Sequence, residues 1–157
     1  MDKQEKPDKS VDSSNPPKPI VTEEVRKDLK ENFQLLREPV TIAVFTREGQ
    51  NDQYNRLATQ LISEVASVDE KISVEFHPIG GDAAAKYRVE RSPTILIAPE
   101  RYRIRFTGTP LGEEGRTLVL SIILASIAKA PMLSEGFSET ILKLTEKRDV
   151  RVYVSPT

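Results

Sequence analysis

A chain of 157 residues, 38% of them hydrophobic, is long enough to bury one core and too short for two full domains. Its 23 basic against 24 acidic side chains leave no excess charge to hold a phosphate backbone or an anionic membrane, which argues against nucleic-acid and membrane partners. No cysteine and one histidine exclude disulfides, thiolate metal sites and thiol catalysis by the chain itself, so no metal and no catalytic residue is expected.

No apolar run approaches the roughly 18 to 20 residues that span a bilayer, and Met1-Asp2-Lys3-Gln4 lacks the apolar stretch of a signal peptide. A cytoplasmic protein is expected. Residues 1–20 hold Lys, Asp, Ser, Gln, Asn and Pro with almost no apolar side chains, a composition that predicts a disordered polar tail. Thr22 then reads as the N-cap of a helix to about Arg37, with Val25, Leu29, Phe33 and Leu36 on one stripe. Pro39 stops it.

Val40 to Phe45 is a short, apolar, β-rich run, the pattern of a central strand buried on both faces. After the loop 46–50, Asn51 or Asp52 is placed to cap a second helix, in which Tyr54, Leu57, Leu61 and Val65 recur at helical spacing. Ile72 to His77 follows as a strand, with Ile72, Val74 and Phe76 alternating against polar neighbours. A β-α-β unit with a crossover of this length implies parallel pairing.

Gly80-Gly81 turns the chain into a short helix near Asp82 to Tyr87, and Thr94 to Ala98 reads as the next strand. From Arg101 to Phe106 the residues alternate, Tyr102, Ile104 and Phe106 facing one way and three arginines the other. The Pro99-Glu100 link predicts an antiparallel hairpin between these strands. After the break at Gly108 to Gly112, a helix is expected to about Lys129 with Leu118, Ile122, Ala125 and Lys129 on one face. Leu120, Ile123, Leu124 and Ile127 widen that stripe and predict cover on more than one side, and Pro131 ends the helix. Ser134 to Glu146 then reads as a helix capped by Ser134 and striped by Phe137, Ile141 and Leu144, and Val150 to Val154 as a strand, frayed or docked on the first sheet.

These elements make an α/β fold with a four-stranded mixed sheet and helices on both faces over residues 21–130. Residues 131–157 repeat the helix and strand with which that domain opens, as the truncated start of a second unit.

Three segments carry a family resemblance. They are Tyr87-Arg88-Val89-Glu90-Arg91-Ser92-Pro93, Arg105-Phe106-Thr107-Gly108-Thr109-Pro110-Leu111-Gly112-Glu113-Glu114, and Val150 to Thr157. Together they resemble the first half of tandem thioredoxin-fold modules, as in protein disulfide oxidoreductases (glutaredoxin-like) and the N-terminal region of the alkyl hydroperoxide reductase flavoprotein. The resemblance covers about residues 22 to 157 and implies a thioredoxin-like fold with a cis Pro93. In that family the backbone beside the cis-proline pairs with substrate peptide, which makes Ser92, Pro93 and Thr94 candidate peptide-binding residues. Without the resemblance, an ordinary trans X-Pro loop remains open.

The family's C-x-x-C opens the helix after the first strand, where the helix N-terminus activates a thiol. Aligned without gaps its places fall on Asn51 and Tyr54; slipped by one residue they fall on Asp52 and Asn55. These four residues are either a vestigial redox loop kept for binding or a plain helix cap. In the relatives the strand matching Val152 to Thr157 runs into the C-x-x-C of an active second half, and this sequence stops one residue before the expected cysteine.

The resemblance thus implies a redox-inactive half that packs against an active thioredoxin-fold domain of the same parent or against a redox partner. FAD and NAD(P)H would belong to the parent, and no cofactor to this chain. The alternative is a standalone module that holds an extended peptide in the cis-proline cleft. Arg101, Arg103 and Arg105 read as the charged face of an edge strand, or as a seat for an acidic partner or a cofactor phosphate. His77 reads as structural or exposed, and no constellation around Asp52, Glu48 or His77 supports an enzyme.

Overall fold

The computed structural model describes residues 18–127, 135–146, 151 and 153. Within them the chain runs α1 (Glu23–Phe33), β1 (Val40–Thr46), α2 (Asp52–Ala66), β2 (Ile72–Pro78), α3 (Asp82–Tyr87), β3 (Thr94–Ile97), β4 (Ile104–Thr107), α4 (Glu113–Ser126) and α5 (Glu135–Leu142). These four strands form one sheet in the order β2-β1-β3-β4. β1 pairs parallel with β2 and antiparallel with β3, and β3 pairs antiparallel with β4.

The sheet separates two cores because successive β1 side chains point to opposite faces. Val40, Ile42 and Val44 meet Ile95 and Ile97 of β3 and the apolar faces of α1, α2 and α4. Ala43, Phe45 and Leu96 meet Ala84 and Val89, at α3, on the other side. Val40, Ile42, Ala43, Val44 and Phe45 are all at 0% exposure, which is the cover on both faces that the unbroken apolar run predicts. Each fully buried aliphatic side chain here contributes on the order of 1.5–3 kcal/mol relative to exposure.

Several sequence expectations are corrected by helix phase. The stripe of α1 enters the core only at Leu29; Val25 is 44% exposed, and Val21, on the extended chain ahead of the cap, is buried instead. In α2 the inward set is Asn55, Ala58, Leu61, Ile62 and Val65, rotated by about one residue from the stripe drawn through Tyr54 and Leu57, and Tyr54 is exposed. Phe76, on the outer strand β2, is exposed, while Ile72 on the same face is buried. Leu120 and Leu124 are exposed as well, so within the described residues α4 is covered on one side.

Boundaries differ too. α1 stops at Phe33 and α4 at Ser126; β3 stops at Ile97, and residues 98–103, with Ala98 at φ 45°, make the connection to β4. Lys18 to Ile20, placed in the tail by composition, are pinned on α2. The Glu64 carboxylate accepts from the backbone N–H groups of Ile20 (2.9 Å) and Val21 (2.6 Å), and Gln60 Nε2 donates to the Lys18 carbonyl. Residues 1–17 of the expected tail lie outside the described residues, as do Lys129, Pro131, Ser134, Val150, Val152 and Val154. α5 ends at Leu142 and not at Glu146, and Arg151 and Tyr153 are not in a strand.

The N-cap expectation at Thr22 can be tested directly. Its Oγ1 accepts from the Val25 N–H at 3.3 Å, a long and exposed bond. Thr22→Ala is expected to lower the unfolding free energy by about 1 kcal/mol or slightly less, read as a shift in urea midpoint at constant slope.

Candidate functional site

The sheet register decides what the loop after β1 meets. Phe45 is opposite Thr94 in the antiparallel β1·β3 pair, so the chain leaving β1 runs beside the chain entering β3. Arg47 to Asn51 therefore lie against Arg91 to Pro93. The Ser92-Pro93 peptide bond is cis.

A closed network of neutral polar groups fills this junction. The Arg47 backbone N–H donates to Ser92 Oγ at 2.7 Å, and Ser92 Oγ donates to Asn55 Oδ1 at 2.8 Å. Asn55 Nδ2 in turn donates to the carbonyls of Arg47 (2.9 Å) and Gln50 (2.8 Å). Asn51 Nδ2 donates to the Ser92 carbonyl at 2.7 Å. The amide of Asn55 thus uses its oxygen and both of its hydrogens, as a buried amide must; the residue is 8% exposed and Ser92 5%.

The four redox-loop candidates are placed in different ways. Asn51 is the residue before α2, in the left-handed conformation at φ 59° with no side-chain cap, a conformation that asparagine tolerates better than most residues. Its amide reaches across to Ser92. Asp52 turns back on its own loop, accepting from the Gly49 N–H at 2.9 Å. The Tyr54 side chain is exposed and its carbonyl accepts from Thr109 Oγ1 at 3.0 Å. Asn55 points inward. The pair brought together at Ser92 is therefore Asn51 with Asn55, one residue from each of the two alignments.

Ser92, Pro93 and Thr94 are all buried. The Pro93 carbonyl accepts from the Gly108 N–H at 2.9 Å, and Thr94 Oγ1 donates to the Arg91 carbonyl at 2.7 Å. The network holds amides and one hydroxyl, none of which ionises near neutral pH, so nothing in it supplies a thiolate or a general base.

The Asn55–Ser92 contact is the feature that sequence reasoning missed. Its signal is a polar residue at an inward helical position, three before Ala58 and seven before Ile62. His77 stacks on Phe45 with ring centroids 5.1 Å apart, and its Nε2 is 3.1 Å from Glu75 Oε2; this is a packing role. Arg101 and Arg105 do not form a free basic row with Arg103, since Arg101 donates to the Pro39 carbonyl and Arg105 to the carbonyls of Tyr87 and Arg88.

The shifted titrating groups lie elsewhere. Hydrogen bonds from Lys86 and then Tyr87 hold the Glu100 carboxyl below the usual carboxylate range. The same Glu100 contact is the main cause raising Lys86 and Tyr87. Tyr87 and Glu100 line a shallow cleft with Pro39, Thr41 and Glu75, and no residue of the Ser92 network lines it. Among the described residues no cluster of acidic or histidine side chains fits a metal ion, and no helix is long and apolar enough to cross a membrane.

No family model matches the chain. Among curated proteins it is similar to one named NADH dehydrogenase from Bacillus subtilis (strain 168), 24% identical over 140 residues, which are 88% of this chain and 25% of that protein. A protein of the same name from Ferdinandcohnia aciditolerans is 25% identical over 138 residues, 87% of this chain and 24% of its own length. The chain spans about a quarter of the curated relatives it matches.

Among solved structures it is similar to the alkylhydroperoxide reductase AhpF of Enterococcus faecalis, with TM-score 0.67 and 26% identity over 78% of this chain and 60% of that one. The NTD_N/C domain of the same reductase gives TM-score 0.65 and 27% identity over 77% and 59% of the two chains. A protein disulfide oxidoreductase from Aeropyrum pernix, at 23% identity and TM-score 0.68 over 79% and 55%, shares the fold. The chain is a thioredoxin-fold module like the N-terminal domain of AhpF.

Proposed function

We propose that this thioredoxin-fold module is the redox-inactive first half of a thiol-disulfide electron-transfer unit, and that it positions a cysteine-bearing thioredoxin-fold partner without itself exchanging electrons. The observation that carries the reading is the amide network at Ser92. At the start of α2, where a redox-active relative would carry its C-x-x-C, one residue from each possible register, Asn51 and Asn55, is bonded to the cis-proline segment. Such a junction is rigid and chemically inert, which suits a base against which an active half is held in fixed geometry.

The likeness to the AhpF N-terminal region and the much greater length of the curated relatives support a parent that is a flavoprotein reductase, with FAD and NAD(P)H bound outside residues 1–157. The domain limits 21–130 and 131–157, and a cytoplasmic location, belong to the same proposal. The standalone peptide-binding alternative is less well supported: an incoming strand would meet a Ser92 carbonyl already engaged by Asn51, so main-chain pairing there has to compete with an internal bond.

The test is to read the source gene past the codon for Thr157 and to assay both products. The expected result is a second thioredoxin-fold unit with C-x-x-C, and a longer protein that reduces insulin disulfides while residues 1–157 alone do not. A stop codon with no such unit, or turnover by residues 1–157 alone, overturns the reading.

A further inference from the structure

On the α3 side of the amide network lies a cleft of about 330 Å³, lined by Arg47, Gly80, Gly81, Ala84, Arg88 and Glu90, among others. Among the described residues no carboxylate pairs with the guanidinium of Arg47 or Arg88. Arg47 makes one long contact, 3.4 Å from Nη1 to Gln50 Oε1. Both arginines spring from fixed backbone. The Arg47 N–H and carbonyl are held by Ser92 and Asn55, and the Arg88 carbonyl is held by Arg105.

Arg88 closes α3 in the left-handed conformation at φ 54°, with the Val89 N–H returning to the Ala84 carbonyl at 2.8 Å. Glycine suits that position without strain, whereas an L side chain is disfavoured there. A strained arginine facing a cleft needs a reason beyond folding. Two guanidinia bind an oxyanion through paired N–H groups. Glu90 on the same wall reduces the local charge to about +1, which favours a monoanion over a dianion.

We propose that this cleft binds a small monocarboxylate, its oxygens held between Arg47 and Arg88 and its apolar body against Ala84, Ala85 and Val89. This site is independent of whether the chain is half of a redox unit.

The test is an amide and arginine Nε–H NMR titration of the full chain with sodium butyrate, against sodium chloride at matched ionic strength. Saturable shifts confined to Arg47, Gly80, Gly81 and residues 84–90 are expected. Arg88→Gly should weaken binding about tenfold, the loss of one charge-assisted pair, while raising the denaturation midpoint, so misfolding cannot explain the loss. Glu90→Gln should tighten binding severalfold, and Arg103→Gln should leave it unchanged. Shifts that grow linearly or match those in chloride, tighter binding of inorganic phosphate than of butyrate, or sensitivity to Arg103→Gln would each overturn the assignment.

Discussion

Asn55→Ala is expected to lower the unfolding free energy by about 3 kcal/mol. The change removes three hydrogen bonds at once and leaves the carbonyls of Arg47 and Gln50 and the hydroxyl of Ser92 short of a partner. Buried polar groups left unpaired cost roughly 1–3 kcal/mol each, and water entering the vacated space offsets part of the sum. Asn51→Ala removes one bond at a more exposed residue and places alanine at φ 59°, so its expected cost is about 1–2 kcal/mol. Urea denaturation measures both. Amide exchange should show opening at residues 46–51 and 91–94 together, because one side chain ties the two segments. A loss under about 1 kcal/mol for Asn55→Ala, or independent opening of the two segments, would mean that the network does not hold the junction.

The parts of this fold legible in the sequence are those where one local pattern has one physical solution. The unbroken run Val40 to Phe45 can be satisfied only by cover on both faces, and the structure gives it that. Thr22 before two glutamates marks a helix start, and Gly80-Gly81 and Gly108 mark breaks that the backbone observes with φ near 106° and 111° at Gly80 and Gly108. Helix phase was less legible. Tyr54, Leu57, Leu61 and Val65 fit a 3.6-residue period as well as Asn55, Ala58, Ile62 and Val65 do, and choosing the more apolar set turned α2 by about one residue. The stripe through Tyr54 and Leu57 leaves Asn55 out of the inward set, so its contact with Ser92 is not read from the sequence.

The candidate site was legible only in outline for the same reason. Which side chains meet between the loop after β1 and the segment before β3 depends on the register Phe45↔Thr94 and on the rotation of α2. Neither is written in a local motif. The left-handed arginine at position 88 gave no sequence signal at all; a residue other than glycine at a helix C-terminus is read as ordinary until the backbone is seen.

A second large effect is expected from restoring thiols. In the Asn51→Cys/Tyr54→Cys variant the first thiol sits at the N-terminus of the 15-residue α2, where the helix dipole and free N–H groups favour thiolate. A drop in pKa from about 8.5 to about 7 raises the thiolate fraction at neutral pH about fifteenfold. Insulin reduction should then rise well above the rate of an Arg103→Cys/Tyr54→Cys control. The alternative register, Asp52→Cys/Asn55→Cys, is expected to fail, because it removes Asn55 and opens the junction with the cost argued above. The two variants therefore separate position from composition: both carry C-x-x-C, and only the first keeps the bonds of Asn55, losing the Asn51–Ser92 bond alone. Equal activity in both, or a first thiol that titrates like an exposed cysteine, would show that the N-terminus of α2 does not have the electrostatics of a redox site, and that two thiols alone do not make one.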